Sequence, residues 1–232
     1  MMERLLRNPF YFFAAFILCA LTGAGLFAAA QAMVPGASGG AERARVERVV
    51  HDYILEHPEI LPEAMERLRT REMASAVDTN AQALVRPFAG AWGGNPNGDV
   101  TVSVFMDYAC GYCRASLPVI DELVRRDRNV RIVYREFPIL SEGSVRAARW
   151  ALAAAEQNKF RAFHDAMFRI GRPSDATIQR AAQEAGLDIA RARGVINTQR
   201  VQGEIESNHR IAASLGINGT PAWVVGKEVI SG

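Results

Sequence analysis

The sequence predicts a mixed α/β protein in which a block of helices interrupts a small sheet. Three observations lead to this fold class. Runs rich in β-branched residues at 100–105 and 130–137 are typical of buried strands. A helical pattern of apolar residues extends over about 141–216, and a strand hairpin follows at 222–225 and 228–230. The order is therefore strand, helix, strand, helical insert, then two more strands.

Size and charge limit the functions that the chain can have. It has 232 residues, of which 49% are hydrophobic, so it can bury one main domain and carry additional segments. The net charge is only +2, and basic and acidic residues alternate through the helical stretches. A nucleic-acid-binding domain needs a basic stripe or patch. We therefore expect no nucleic-acid partner.

The N-terminus has the composition of an export signal. Arg4 and Arg7 precede an uncharged stretch from 10 to 30, and the small residues after it resemble a signal-peptidase site. The stretch is also long enough to cross a bilayer once. Residues 1–32 are thus predicted to be a cleaved signal peptide or an uncleaved membrane anchor. Both alternatives place the rest of the chain outside the cytoplasm.

A flexible linker and a helical segment are predicted next. Residues 33–40 are small and suit a linker. Residues 41–80 begin with two amphipathic helices that are interrupted at Pro58. Their apolar positions are Val46, Val49, Val50, Tyr53, Ile54, Ile60, Leu61, Ala64, Met65 and Leu68. Short helices of this kind cannot bury their apolar faces alone. We therefore expect residues 41–73 to pack against a partner, which is either their own domain or the same segment of another subunit in a homo-oligomer.

The remaining residues, 81–232, form the predicted main domain. The helical period is lost from about 73 to 97, where a tight turn is expected at 94–98. A helix is predicted over 115–124, and Pro118 is expected to kink it. The helical insert is expected over about 141–216.

Two of the three cysteines form a C-x-x-C pair. Cys19 lies inside the apolar N-terminal stretch, where a preceding leucine argues against a lipoprotein signal. If Cys110 caps a helix, Cys113 lies one turn further on, where the two sulfurs can bond. Free N–H groups and the helix dipole at this position lower a thiol pKa. We therefore predict that Cys110 is the nucleophile and that Cys113 resolves the mixed disulfide.

Other functions of a C-x-x-C pair fit the sequence less well. A zinc site needs two further ligands, and the four histidines are scattered. Haem attachment needs histidine after the second cysteine, where Arg114 stands. A purely structural disulfide would close too short a loop to stabilise a large domain. We expect no resident metal or cofactor, and copper(I) held by the two thiolates stays as the alternative from another functional class.

Five further residues are candidates for the same site. Thr220 and Pro221 precede a strand that should run beside the first one, and a cis bond there would direct the Thr220 backbone at the sulfurs. An ordinary turn proline is the alternative. Asp107 either tunes the thiols and relays a proton, or is a solvated carboxylate at a strand end. Gly111 and Tyr112 separate the cysteines, and Tyr112 either shapes a substrate groove or packs locally.

Several motifs together resemble a known family. The segments at 105–113 (FMDYACGYC), 135–138 (REFP) and 219–221 (GTP) resemble the DsbA-like thioredoxin-fold oxidoreductases of the bacterial envelope. This similarity covers about 99–232. The stretch 46–68, with its HDYILEHPEI, resembles the N-terminal helical segment of the suppressor-of-copper-sensitivity C (ScsC) branch.

The resemblance implies a thioredoxin-like fold with an inserted helical domain and an N-terminal oligomerisation segment. It also implies a cis Pro221 beside Cys110, exported substrate proteins and a membrane thiol–disulfide redox partner. The Gly-Tyr dipeptide and Thr220 resemble those of envelope disulfide isomerases, which favours isomerase or reductase activity. A disulfide-forming oxidase stays as the alternative. The family usually continues past the last strand into a closing helix, whereas this chain stops at 232, so we expect either a truncated sequence or another element that covers the sheet edge.

Overall fold

The computed structural model of the chain describes residues 9–33 and 39–232. Arg4, Arg7 and positions 34–38 of the predicted linker lie outside the described residues. The chain divides into two units, Met1–Glu66 and Arg67–Gly232.

The first unit begins with one long apolar helix. Helix α1 spans Pro9–Met33, and its window Phe13–Ala30 is long and apolar enough to cross a membrane. The side chains described in this window are exposed rather than packed in a core. The helix is therefore compatible with a signal or a membrane anchor.

The first unit continues with the predicted amphipathic helices. Helix α2 spans Gly39–Glu56, and helix α3 begins at Ile60. The predicted interruption at Pro58 is confirmed, because the two helices are separated there. Their apolar side chains are exposed, with half or more of each surface accessible at Val46, Val49, Val50, Tyr53, Leu61 and Met65.

Helix α3 is longer than the sequence pattern indicated. It extends over Ile60–Val85, so the prediction that helical structure ends near residue 73 is wrong. Two of its apolar residues, Val77 and Leu84, are 3% exposed and pack in a cluster with Phe105 of the sheet. Tertiary packing thus stabilises a stretch whose own amphipathic pattern is weak.

A five-stranded sheet forms the centre of the second unit. Its strands are β1 (Trp92–Gly94), β2 (Val100–Met106), β3 (Val130–Glu136), β4 (Ala222–Val225) and β5 (Glu228–Ser231). The order is β1-β3-β2-β4-β5; β2 and β3 are parallel and the other pairs antiparallel. Strand β1 was not predicted, because three residues that include two glycines carry no strand signal. The register pairs Phe105 with Ala222, which brings the end of β2 to the start of β4.

Helices cover the sheet and form the inserted block. They are α4 (Gly111–Arg126), α5 (Glu142–Ala155), α6 (Phe160–Ile170), α7 (Asp175–Glu184), α8 (Ile189–Val195) and α9 (Gln199–Ser214). Gly186 and Gly216 follow the ends of α7 and α9 with φ of +65°, the left-handed conformation in which glycine commonly ends a helix. The predicted α/β layer with an inserted helical block is confirmed.

Candidate functional site

The two cysteines of the C-x-x-C pair lie at the start of helix α4. Cys110 is the N-cap residue with φ −80° and ψ 120°, and its sulfur accepts a hydrogen bond from the Cys113 N–H at 3.4 Å. Both residues are free thiols. The cap position exposes the Cys110 sulfur to the unpaired N–H groups of the first helical turn.

The environment of Cys110 favours its thiolate. Burial alone would raise the pKa of this thiol, but Thr220 and the N–H groups of Cys113 and Tyr112 act in the opposite direction. Their combined effect lowers the pKa below its ordinary value of 9.0. A lowered pKa increases the fraction of reactive thiolate and makes the sulfur a better leaving group.

The environment of Cys113 has the opposite effect. The residue is 0% exposed, and burial raises the pKa of its thiol to about 12. The Asp107 N–H and Thr220 lower this pKa, but they do not outweigh burial. The pair therefore consists of one activated sulfur and one shielded sulfur that stays protonated at neutral pH.

Thr220 and Pro221 lie directly beside this pair. The Thr220–Pro221 peptide bond is cis. The Cys110 thiol donates a hydrogen bond to the Thr220 carbonyl oxygen at 3.1 Å. The Thr220 hydroxyl is buried without a hydrogen-bond partner among the described residues, yet it lies near enough to lower the pKa of both thiols. Residues 110 positions apart in the sequence thus share one site.

Asp107 is part of the site but is not solvated. It is 1% exposed, so the alternative of a solvated strand-end carboxylate is wrong. The largest influences on the pKa of the two thiols are burial and donors such as Thr220 and backbone N–H groups, and the Asp107 carboxylate is not among them. Its carboxylate instead accepts hydrogen bonds from neighbouring loops and raises the pKa of Glu136.

Gly111 and Tyr112 form the outer surface of the site. Tyr112 is 76% exposed, so it does not pack into the core around it. A side chain added at Gly111 would meet nothing within 4 Å. The dipeptide between the sulfurs is therefore accessible to a large substrate.

A buried polar cluster was not found from the sequence. The Tyr108 hydroxyl lies 3.0 Å from Glu136 Oε1 and 3.0 Å from His164 Nδ1, and all three residues are nearly inaccessible. Burial raises the pKa of Glu136 well above its usual range. Burial, and then Arg161, lower the pKa of His164 to about 3. His164 is therefore uncharged at neutral pH, and burial favours the protonated form of Glu136.

Local sequence patterns carry only a partial signal for this cluster. His164 packs against the aromatic rings of Phe160 and Phe168. Its hydrogen bond to Tyr108 joins residues 56 positions apart. A carboxyl group at the end of a buried strand, as at Glu136, is the one local sign that a buried partner was needed.

Metal ligands are not clustered in the described part of the chain. Within residues 9–33 and 39–232, no group of three or more His, Cys, Asp or Glu residues is placed to hold a metal ion. The two sulfurs of Cys110 and Cys113 are the soft ligands that lie together.

An activated thiol, a buried second thiol one helical turn away and a facing cis-proline loop define a thioredoxin-fold dithiol–disulfide protein. The comparisons with known proteins agree with this class. The model of the DSBA-like thioredoxin domain matches residues 101–232, and that of the copper resistance protein ScsC N-terminal domain matches 42–74. The chain belongs to the DsbA-like family of thiol–disulfide oxidoreductases, and its resemblance to the ScsC branch is confirmed.

Solved structures support the same assignment. A thioredoxin-like oxidoreductase from Silicibacter pomeroyi is 44% identical, with a TM-score of 0.59 over 61% of this chain and 82% of that one. The thiol-disulfide exchange protein α-DsbA2 from Wolbachia pipientis is 26% identical, with a TM-score of 0.65 over 71% and 90%. A mutant of Proteus mirabilis ScsC is 23% identical and has the same fold, with a TM-score of 0.68 over 82% and 88%.

The curated relatives are much longer than this chain. Na(+)/H(+) antiporter NhaA 3 of Salinispora tropica is 33% identical over 131 residues, which are 54% of this chain and 20% of the antiporter. NhaA 1 of Salinispora arenicola is 30% identical over 129 residues, again 20% of its length. The chain therefore spans about a fifth of the curated relatives that it matches.

Proposed function

We propose that this chain is an exported thiol–disulfide oxidoreductase that acts on proteins and works mainly as a disulfide isomerase or reductase. Cys110 is the nucleophile, Cys113 is the resolving thiol, and Thr220 and Pro221 complete the catalytic site. Gly111 and Tyr112 modulate how clients approach the sulfurs, and Asp107 is a further modulator. No resident metal or cofactor is needed for this chemistry.

The different environments of the two sulfurs are the observation that supports this proposal most directly. Hydrogen-bond donors outweigh burial at Cys110 and lower its pKa, whereas burial dominates at Cys113 and raises its pKa to about 12. A purely structural pair would not need one sulfur activated and the other shielded. Cys110 is 7% exposed and Cys113 is 0% exposed, so Cys110 is the sulfur that a client disulfide meets first.

The chemical steps follow from this arrangement. The Cys110 thiolate attacks a client disulfide, which breaks the client S–S bond, forms a mixed disulfide and releases a client thiolate. In isomerisation, another client thiolate attacks the mixed disulfide and frees Cys110 with no net redox change. In reduction, Cys113 loses its proton and attacks the Cys110 sulfur, which forms the intramolecular disulfide and releases the second client thiolate.

Substitution of the cysteines separates these steps. Cys110→Ser should abolish both insulin reduction and the recovery of scrambled ribonuclease, because no activated sulfur is left. Cys113→Ser is the matched control: it should lose insulin reduction but still form mixed disulfides that reducing agent can reverse. If Cys110→Ser exchanges disulfides with a protein client at the wild-type rate, the proposed function is wrong.

The preferred direction depends on the redox potential. Equilibration of the Cys110–Cys113 couple with glutathione buffers measures it directly. A reducing couple agrees with the isomerase or reductase, and a strongly oxidising one favours the disulfide-forming oxidase. DsbA-like and ScsC-like proteins act on substrate proteins together with membrane redox partners. We propose the same kinds of partner here.

Export and assembly complete the proposal. DsbA-like and ScsC-like families are periplasmic. We propose that residues 1–32 direct export or anchor the chain and that residues 33–40 form a linker. Residues 41–80 assemble subunits, and residues 81–232 form the catalytic domain. The exposed apolar side chains of α2 and α3 support assembly through 41–73. Light scattering on a chain that begins at residue 74 tests this, since it should be monomeric while the longer protein is not.

Copper(I) binding by the same thiolates is the second candidate. It is favoured by two soft sulfur ligands one helical turn apart and by the match of 42–74 to a family named for copper resistance. If reduced protein binds copper(I) tightly but neither reduces insulin nor refolds scrambled ribonuclease, this function replaces the enzyme.

A further inference from the structure

The buried Asp107 carboxylate holds two loops together. Its Oδ1 accepts hydrogen bonds from the Ala109 N–H at 2.7 Å and the Ser144 hydroxyl at 2.6 Å. Its Oδ2 accepts from the N–H groups of Ile139 and Leu140 at 2.8 and 2.9 Å. Breaking any of these bonds would leave a donor unpaired beside a carboxylate that is 1% exposed, which is costly. The carboxylate therefore fixes the loop after β3 against the loop before α4.

The main chain of Asp107 is fixed to the two cysteines. Its carbonyl oxygen accepts a hydrogen bond from the Cys110 N–H at 3.0 Å. Its own N–H acts on the Cys113 sulfur and lowers the pKa of that thiol. The residue thus links the sulfurs on one side with the β3–α5 loop on the other.

The loop that Asp107 holds presents apolar side chains to solvent. Ile139 is 37% exposed and Leu140 is 54% exposed. Leu140 and Ala109 line one cavity of about 460 Å³, and Arg172 lies at the same opening. Ala109 directly precedes Cys110, so this opening lies next to the residue that carries the reacting sulfur. An exposed apolar surface beside an active site is suited to binding a polypeptide.

We propose that Asp107 is a positioning residue that holds Ile139 and Leu140 beside Cys110 as part of the surface that binds protein clients. The effect of its carboxylate is on client affinity, whereas only its backbone N–H acts on a thiol. This inference rests on the proposed function, because it presupposes that Cys110 reacts with protein disulfides. The occupant is an extended client segment next to the disulfide under attack.

Asp107→Asn tests the proposal with almost no change in volume. In either orientation of the amide its NH₂ group faces a backbone N–H, those of Ile139 and Leu140 on one side or that of Ala109 on the other, so one of the two loops loses its acceptor. Donors that face each other repel, so the loop should be released. We expect KM for scrambled ribonuclease to rise at least about fivefold, the equivalent of about 1 kcal/mol. We expect kcat, and the rate with oxidised glutathione, to stay within about twofold.

Two matched variants separate this effect from general destabilisation. Ser144→Ala removes one hydrogen bond to the same carboxylate but leaves the Ile139 and Leu140 bonds, so KM should not change. Leu140→Ser leaves all bonds of Asp107 in place and removes the apolar contact, so KM should rise. Val100→Ser is its control, since Val100 is 40% exposed at the opposite end of β2. Leu140→Ser also serves as the test if Asp107→Asn does not fold.

The outcomes distinguish failure of the client-surface proposal from failure of the proposed function. If Leu140→Ser has the same KM as Val100→Ser, the loop is not a client surface and the inference is wrong. Asp107→Asn could instead shift the thiolate absorbance titration of Cys110, or slow the reaction with oxidised glutathione as much as the reaction with the protein client. Either result would mean that the role of Asp107 is electrostatic and that the inference is wrong. If the unaltered protein reacts with neither substrate, the proposed function itself fails.

Discussion

The difference between the two thiols gives the sharpest prediction. Reduced protein treated briefly at pH 7 with a small amount of iodoacetamide should be alkylated almost entirely at Cys110. The reason is that only the thiolate reacts. A pKa of about 12 leaves about 10⁻⁵ of Cys113 ionised at pH 7, whereas a pKa below 9.0 leaves more than about 10⁻² of Cys110 ionised.

This ratio of thiolate fractions is at least about 1000, and it has to be corrected for nucleophilicity. A thiolate of higher pKa is intrinsically more reactive, with a Brønsted coefficient of about 0.4–0.5. Because the two pKa values differ by about three, this correction reduces the ratio by roughly 20- to 30-fold. The net preference for Cys110 is therefore at least about 30-fold, and the complete burial of Cys113 adds to it.

Fragment-ion mass spectrometry gives the measurement, because both cysteines fall in one tryptic peptide that ends at Arg114. Protein unfolded in urea is the control, and its two thiols should react at similar rates. The alkylation rate of Cys110 should also rise with pH along a titration curve whose midpoint lies below pH 9, since the pKa of this thiol lies below the ordinary 9.0. Equal alkylation of Cys110 and Cys113 in the folded protein would contradict the assignment of nucleophile and resolving thiol.

Two further predictions concern stability. Because the pKa of His164 is lowered to about 3, the folded protein resists protonation that the unfolded chain accepts near 6.5, so stability falls as pH drops from 6.5 toward 3. Chemical denaturation should show that His164→Phe recovers up to about 4 kcal/mol of this loss at pH 3. Glu136 is present in both the unaltered protein and the variant, so the difference between them reports on His164. An unchanged dependence of stability on acid pH would refute the assignment. Arg135 is 3% exposed and pairs with Glu204 at 3.0 Å, so Arg135→Met should cost about 3 kcal/mol in urea unfolding. The exposed pair Lys227–Asp78 is the control, and Lys227→Met should cost less than about 1 kcal/mol.

The buried Tyr108–Glu136–His164 cluster shows where sequence reasoning reaches its limit. The alternation and β-branched residues of β3 correctly predicted a buried strand, because that signal is local. They could not show that its terminal carboxyl group meets a tyrosine 28 residues earlier. The same limit explains helix α3, whose continuation to Val85 depends on packing against the sheet rather than on its own pattern.

The sequence by itself determined the features that depend on neighbouring residues. The C-x-x-C spacing places two sulfurs on successive turns at a helix start, and the Gly-Thr-Pro stretch marks the beginning of a strand. Only the tertiary structure decided how each sulfur behaves. The sheet register brings Thr220 to Cys110, packing buries Cys113, and the β3–α5 loop closes over Asp107. These contacts join residues 32 to 110 positions apart, and their strength depends on burial, which local sequence does not specify.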